Sequence, residues 1–305
     1  MAPGHILTGG MMNSTPQQRE GRLLLAPLIA FLIVFLSFPA LVDIVYALSN
    51  VTFETMRAPQ ITGVGNFVDV LQDPEFWSAC WFSLRFGVLT ALIECGIGMG
   101  LAIFLSPIVS RHGWTLALIM LPMMVAPSMV GLMYRLVLHE FAGPLPYYLL
   151  MWFGDSPAFL DASNAFWTLV VVESLQWTPF AFLLFHVAYI SIPTEIREAA
   201  AMDRANAWKV LWRIELPMMK APIAIALGIR FIDGFRVFDN VFALTGAGAG
   251  GSTMSLSIYI YQSFFKGGEI GRAVAASALL FIVSLIVLYG AAVLKSRLDR
   301  KRIAL

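Results

Sequence analysis

Apolar blocks long enough to cross a membrane are the feature that most restricts how this chain folds. The block at residues 23–42 contains twenty residues, of which only Ser37 has a polar side chain. As a helix it is about 30 Å long, which matches the hydrocarbon core of a bilayer and exceeds the apolar core of a cleaved signal peptide. In the whole chain 59% of the 305 residues are hydrophobic and 13% are charged, whereas soluble domains are about 25% charged. The chain is therefore predicted to be an all-α integral membrane protein.

Six such blocks predict six transmembrane helices, at residues 23–42, 80–105, 114–138, 165–192, 221–244 and 273–294. If both termini are cytoplasmic, the inner segments carry thirteen Lys and Arg residues and the outer loops carry three. Because cytoplasmic loops are enriched in these residues, this orientation is the predicted one. The chain then divides into a cytoplasmic tail at residues 1–22, a transmembrane domain at 23–294 and a basic cytoplasmic tail at 295–305.

A polar segment at residues 193–217 joins the fourth and fifth blocks, and the orientation places it in the cytoplasm. Glu195 suits the first turn of a helix, where the helix dipole favours an anion. Small apolar residues then share one face at helical spacing: Ile196, Ala199 and Ala200. After an interruption at Asp203 and Arg204, a second apolar face follows: Trp208, Leu211 and Trp212. Two short helices whose first face allows another backbone to approach closely predict a docking site for a partner protein.

Charged residues recur inside the fifth block at a spacing of three: Arg230, Asp233, Arg236 and Asp239. Each charge at the centre of a membrane helix costs about 2.5–3.5 kcal/mol, so four facing lipid would cost on the order of 10 kcal/mol. Two interpretations remain open, a self-paired ladder that locks this helix against others and a polar lining for a translocation path. Three further polar residues in other blocks are assigned to the same predicted path: Arg135, Glu173 and Gln176.

A glycine-rich outer loop follows the fifth block and leads into an aromatic stretch at residues 257–265. The sequence contains no phosphate-binding GxxxxGK[ST] motif, so a nucleotide site in this chain is not expected. The loop and the aromatic stretch are interpreted as a re-entrant or docking surface, or as an aromatic belt at the membrane interface. The residues singled out on this outer side are Thr245, Gly246, Gly248, Thr253 and Tyr259.

Catalytic and metal-binding constellations are missing from the sequence. The four histidines are scattered with no metal-ligand spacing, and neither HExxH nor GxSxG occurs. Cys80 and Cys95 lie about four helical turns apart on one block, so they are not expected to pair with each other. A net charge of +1 gives no reason to expect a nucleic-acid partner. The chain is predicted not to be an enzyme and to hold no metal.

The polar segment also resembles a known motif. The following residues stand at the spacing of the EAA loop found in the inner-membrane permease subunits of binding-protein-dependent ATP-binding-cassette (ABC) importers: Glu198, Ala199, Ala200, Asp203, Ala205, Ile214, Leu216 and Pro217. Residues 238–264 resemble the carbohydrate branch of that family, the relatives of the maltose and glycerol-phosphate permeases. The sequence departs from the family pattern at three places: Arg204 replaces the usual Gly, Leu211 a usual Phe, and Gly246-Ala247-Gly248-Ala249 the usual Gly-Gly-Gly-Pro.

The resemblance implies a type I importer permease in a bacterial cytoplasmic membrane. It implies four kinds of partner: a second similar permease, a dimer of ABC ATPase subunits that bind ATP and Mg²⁺, an extracytoplasmic solute-binding protein, and a carbohydrate solute. No cofactor is implied for this chain itself. Coupling to the ATPase would involve Glu198 through an ion pair or a cap, Ala199 and Ala200 through close packing, and Asp203, Arg204, Leu216 and Pro217 through the shape of the segment.

Three other functions stay open from the sequence. A secondary transporter would also carry intramembrane charges and kinked helices, although it usually has more spans and inverted repeats. An ABC importer for a non-carbohydrate solute and a purely structural membrane subunit are the other two. Within the sugar interpretation, the arginines of the predicted path leave room for an anionic sugar, because guanidinium groups bind phosphate and sulfonate oxygens well.

Overall fold

The computed structural model describes residues 25–246, 248 and 251–303, most of which are helical. The first half of this part contains helices α1 (Leu25–Ala47), α2 (Gly65–Gln72), α3 (Pro74–Arg111), α4 (Gly113–Met120), α5 (Pro127–Val137) and α6 (Pro144–Phe153). The second half contains α7 (Ala165–Ile190), α8 (Thr194–Met202), α9 (Ala207–Val210), α10 (Leu216–Met218), α11 (Lys220–Phe235), α12 (Asp239–Thr245), α13 (Leu256–Tyr261) and α14 (Ile270–Ile303).

Short π-helical and 3₁₀ turns complete the helical part, at Ile33–Ser37, Leu121–Met124, Leu211–Glu215 and Gln262–Lys266. An antiparallel hairpin joins β1 (Ser49–Asn50) to β2 (Gln60–Ile61), with Ser49 opposite Ile61. The predicted N-terminal tail at residues 1–22 lies outside the described residues. At the other end α14 continues through most of the predicted tail, as far as Ile303.

Membrane-length helices are present in four of the six predicted blocks, and the other two blocks are interrupted. Among the described residues, four helices are long and apolar enough to cross a bilayer: α1, α3, α7 and α14 over Ile270–Gly290. A fifth crossing arises if Gly113–Met124 and Pro127–Val137 are taken as one span, although these two pieces meet at a bend of 80°. The bend lies at Pro122 and Pro127, because proline removes a backbone donor and disfavours a helical conformation in the preceding residue.

The predicted fifth span is also broken. Helix α11 has 16 residues, or about 24 Å, which is shorter than the hydrocarbon core of a bilayer. Residues 236–238 separate it from α12, and the serines of the following chain bind the carbonyl groups freed by this break. Ser257 Oγ donates to Arg236 O at 2.9 Å and Ser255 Oγ donates to Val237 O at 2.7 Å. The hydropathy pattern does not predict the break, because the hydroxyl groups that satisfy the freed carbonyl groups come from a different part of the chain.

The long helix α3 packs against α7 and α11 to form the centre of the fold. At Gly98 on α3 an added Cβ would lie 2.8 Å from both Ala181 Cβ and Phe182 N. At Gly87 it would lie 2.8 Å from Phe235 N. These glycines allow the helix backbones to approach closely, as in many membrane helix pairs.

Candidate functional site

The polar segment forms two short helices, α8 and α9, joined by a turn with defined hydrogen bonds. Ala205 N donates to Ala200 O and Arg204 N donates to Ala201 O, both at 3.0 Å. This pair of bonds is a Schellman motif, which satisfies the last carbonyl groups of a helix and places the residue at Arg204 in a left-handed conformation. After the turn, the Asn206 side chain accepts a hydrogen bond from Trp208 N at 3.2 Å and caps α9.

Arg204 has a φ of +51°, the only positive φ of a non-glycine residue in the described part of the chain. The left-handed region disfavours side chains with a Cβ atom by about 1–2 kcal/mol. The family pattern has glycine here, which adopts this φ without steric cost. The arginine therefore keeps the bend of the turn and adds strain to it.

The residues predicted to couple to an ATPase differ in their exposure. Glu198, Ala199, Asp203 and Arg204 are exposed, whereas Ala200 is buried at 6%. Large apolar side chains also lie open in this segment, with Met202 86%, Trp208 65% and Trp212 63% exposed. Leu216 and Pro217 are half-buried in α10, which ends at Met218 immediately before α11. A charged and apolar surface therefore extends from α8 to the turn after α9.

A buried polar network joins four helices at the centre of the predicted membrane domain. Arg230 on α11 is 1% exposed and makes two hydrogen bonds to Glu94 of α3, through Nε and, at 3.3 Å, through Nη2. Its Nη2 atom also lies 3.5 Å from Glu173 Oε1 of α7. The guanidinium carbon stands 4.7 Å from the centre of the Trp177 ring, a favourable cation–π distance.

The network continues from Glu173 to the bend of the third block. Asn240 on α12 donates to Glu173 Oε2 at 2.5 Å and to Gln176 Oε1 at 2.9 Å. Gln176 in turn donates from Nε2 to Val125 O at 2.9 Å. Val125 lies between Leu121–Met124 and α5, so the network links the breaks in the third and fifth blocks. Asn240 was missed in the sequence because a single Asn after Asp239 carries no distinguishing pattern.

The four charges of the fifth block form a ladder only in part. Asp233 bridges Arg230 and Arg236, with both oxygen–nitrogen distances at 3.3 Å. The Arg236 side chain is 63% exposed, that of Asp233 is 37% exposed, and Asp239 is exposed. Arg135, on α5, is also exposed. Of the predicted path residues, Arg230, Glu173 and Gln176 are thus buried and bound to protein in this conformation, Asp233 and Arg236 are paired with each other but at least partly exposed, and Arg135 and Asp239 are exposed.

The glycine-rich loop contacts the end of α12. Thr245 Oγ1 lies 3.0 Å from Thr253 Oγ1 and donates to Val241 O at 2.8 Å. Gly246 and Gly248 have φ values of +73° and +110°, which glycine adopts readily. Three residues of this loop lie outside the described part of the chain: Ala247, Ala249 and Gly250.

Tyr259 contributes to a second polar cluster at the start of α3. It is 3% exposed and donates to Asp73 Oδ2 at 2.7 Å, which excludes it from an exposed aromatic belt. Asp73 also binds the Arg272 guanidinium and accepts a hydrogen bond from Glu75 N at 2.9 Å, which caps α3. Burial raises the pKa of Asp73, but the bonds from Tyr259 and Glu75 N and the charge of Arg272 outweigh it, so this pKa is lowered.

Potential metal ligands do not cluster in the part of the chain that the structure describes. No group of three or more His, Cys, Asp or Glu side chains there could hold a metal ion. Cys80 and Cys95 are both free, Cys95 being buried and Cys80 half-buried.

Comparison with known proteins identifies the family. Residues 95–300 match the family model described as "Binding-protein-dependent transport system inner membrane component". A probable ABC transporter permease protein from Sinorhizobium fredii is 31% identical over 253 residues, covering 82% of each chain. A trehalose/maltose transport system permease protein from Thermococcus litoralis is 29% identical, covering 88% of this chain and 91% of the relative.

Solved structures share the fold. A chain of a bacterial alginate ABC transporter, crystallised with an alginate pentasaccharide-bound periplasmic protein, matches with a TM-score of 0.79 at 22% identity. That match covers 92% of this chain and 96% of the other. With the family match extending over more than half of the sequence, this chain belongs to the family of inner-membrane components of binding-protein-dependent transport systems.

Proposed function

We propose that this chain is the permease subunit of an ATP-driven importer for a sugar or sugar derivative, and forms half of the translocation path. The observation that carries the proposal is the family match over residues 95–300. The sugar assignment is supported by the relatives, which include a trehalose/maltose permease and, at 26% identity, an sn-glycerol-3-phosphate permease from Agrobacterium fabrum. Family membership makes the chain a transport subunit, so ATP and Mg²⁺ belong on a partner ATPase.

The proposed topology has six crossings with both termini in the cytoplasm. The broken third and fifth blocks each count as one crossing in this scheme, together with α1, α3, α7 and α14. The excess of thirteen over three Lys and Arg residues supports the orientation. It places α8 and α9 on the cytoplasmic side and the hairpin, Asp73 and the glycine-rich loop on the outer side.

The segment at residues 193–217 is proposed to bind the ATPase dimer. Its support is the EAA pattern together with an exposed Glu198 beside exposed apolar side chains at Met202 and Trp208. Aromatic residues that lie open around a charged residue are typical of protein interfaces. Alternating access would follow when the ATPase dimer moves this segment.

Two further partners complete the proposed complex. A second, similar permease would close the path, and α1, whose apolar window has none of its residues buried, offers one surface for lipid or for that subunit. A solute-binding protein would dock on the outer side, where Thr245, Gly246, Gly248, Thr253 and Tyr259 lie. The crystallised alginate importer is itself bound to a periplasmic protein, which supports this arrangement.

The solute path is proposed to run beside the charged residues that are at least partly exposed: Arg135, Asp233, Arg236 and Asp239. Arg230, Glu173 and Gln176 would shape it from within the protein, since their polar groups bind other side chains. A second candidate solute is an anionic sugar, because Arg236 is 63% exposed and has spare donors toward the path.

The function is tested by reversing one charge on each side of the membrane. Glu198→Arg should leave expression and insertion intact but weaken ATPase binding and ATP-driven uptake, and Glu54→Arg on an exposed outer loop is the matched control. Co-purification from the native membrane should recover an ATPase and a second permease with the unaltered chain. Uptake that persists without ATP would favour a secondary transporter, and unchanged uptake in Glu198→Arg would remove the coupling role of that residue.

A further inference from the structure

Arg197 stands beside Glu198 in the sequence, but its side chain contacts residues next to the fourth and fifth spans. Its Nε donates to Glu215 Oε1 at 2.9 Å, and its Nη2 donates to Tyr189 O at 3.1 Å. The guanidinium carbon also lies 4.2 Å from the centre of the Tyr189 ring. A single side chain on α8 therefore contacts one residue that precedes the polar segment and one near the end of that segment.

The two contacts belong to the ends of different spans. Tyr189 is in the last turn of α7, where backbone carbonyl groups carry partial negative charge, and its carbonyl group also accepts a hydrogen bond from Ile192 N at 3.3 Å. Glu215 ends the π-helical turn Leu211–Glu215, four residues before the break at Met219 that precedes α11. Arg197 thus connects α8 to the end of the fourth span and to the segment just before the fifth.

Burial makes this connection stronger than an ordinary surface ion pair. The side chain of Glu215 is 8% exposed and that of Arg197 is 32% exposed, so water screens the pair less than it does exposed charges. The planar guanidinium binds a carboxylate, a carbonyl group and an aromatic face at the same time. A lysine at this position could keep the charge but could not make all three contacts.

We propose that Arg197 is a positioning residue that clamps the coupling helix α8 to the spans on both sides. This inference rests on the proposed function, in which an ATPase moves α8. With the clamp intact, a displacement of α8 shifts the ends of α7 and α11 together. Without it, the short helix moves while the spans lag behind.

The test measures whether ATP still moves the fifth block. The complete complex, purified with its ATPase and placed in nanodiscs, carries Asp239→Cys as a reporter in a background of Cys80→Ala and Cys95→Ala. The rate at which a charged, membrane-impermeant thiol reagent modifies this cysteine is compared with and without ATP and vanadate. ATP hydrolysis is measured on the same samples, so movement and hydrolysis are separated without knowledge of the solute.

Arg197→Gln should reduce the ATP-dependent change in reagent rate by roughly 5- to 10-fold, the lower range of measured coupling between sites, while hydrolysis stays within about twofold of the parent. Arg111→Gln, an exposed basic residue at the end of α3, is the matched control and should leave the change intact. Glu215→Gln should reduce the change by no more than Arg197→Gln does, because it removes only the ion pair and leaves the Tyr189 contacts in place, and the double variant should be no worse than Arg197→Gln, which already lacks that pair.

A full ATP-dependent change in Arg197→Gln, or additive losses in the double variant, would overturn the clamp. If Arg197→Gln does not assemble, Arg197→Lys decides instead: a partial loss supports the clamp and an unaltered change overturns it. A parent chain that carries no ATPase, or whose reporter does not respond to ATP, would instead overturn the proposed function and the clamp with it.

Discussion

The buried guanidinium of Arg230 gives the sharpest prediction about what holds the helices together. Replacing Arg230 by Gln removes its bonds to Glu94 and Asp233 and its approach to Glu173. Glu94 is 0% exposed and Glu173 is 4% exposed. The substitution therefore leaves two buried carboxylates without the cation that faces them both.

The magnitude follows from burial. Removing one partner of a buried ion pair costs about 3–5 kcal/mol, because the remaining charge is left uncompensated. Arg236→Gln on the same part of the chain is the matched control, since Arg236 also binds Asp233 at 3.3 Å but its side chain is 63% exposed. An exposed pair is worth about 0–1 kcal/mol.

The assay is thermal unfolding of the purified chain in mild detergent. With about 2–4 °C of midpoint shift per kcal/mol for chains of 150–250 residues, Arg230→Gln should lower the midpoint by about 6–20 °C, and Arg236→Gln by less than about 4 °C. Adding Glu94→Gln to Arg230→Gln should recover part of the loss, because one of the two unpaired charges is then removed. Equal shifts for the two arginine variants would refute the reasoning, since burial would then not determine the cost.

Three further predictions concern a turn, a helix contact and a pH dependence. Arg204→Gly should raise the unfolding free energy by about 0.5–1 kcal/mol, because glycine removes the left-handed strain while the greater entropy of the unfolded chain offsets part of that effect. Arg204→Ala keeps the strain and should show no such increase in thermal unfolding. Gly98→Ala should lower the melting midpoint, since the new Cβ would meet Ala181 Cβ at 2.8 Å, whereas Gly100→Ala, with nothing within 4 Å, should not. The lowered pKa of Asp73 means that its bonds stabilise the fold at pH values above its unfolded pKa of about 3.9 and are lost as the pH falls through the lower folded value. Melting midpoints measured from pH 6 to pH 3 should therefore fall less steeply in Asp73→Asn than in the unaltered chain, and parallel curves would contradict this assignment.

The membrane class and the positions of the apolar helices follow from local pattern. Runs of about twenty apolar residues predict helices wherever they occur, because the bilayer leaves backbone groups no other partners. This is why α1, α3, α7 and α14 lie where hydropathy places them. The same reasoning failed at residues 236–238, where two serines supply the missing hydrogen bonds from 18 and 21 residues further along the chain.

The turn between α8 and α9 was predicted in part from the sequence. Spacing in the sequence predicts two short helices with an interruption at Asp203 and Arg204, and the structure has α8, the turn and α9 in that order. Arg204 replaces the glycine of the family pattern, so the sequence left the shape of the turn open. The Schellman bonds to Ala200 O and Ala201 O determine it, because they require a left-handed residue whatever its side chain.

The sequence by itself determined the helical membrane class, the polar segment between the fourth and fifth blocks, and the family to which its residues point. These depend on residue spacings within one or two helical turns, which are readable along the chain. Only the tertiary structure decided that Arg230 binds Glu94 across 136 residues, that Asn240 binds Gln176 across 64, and that Arg197 connects two spans. Such contacts depend on which helix faces pack together, and a polar residue in an apolar run does not show in the sequence which partner will satisfy it.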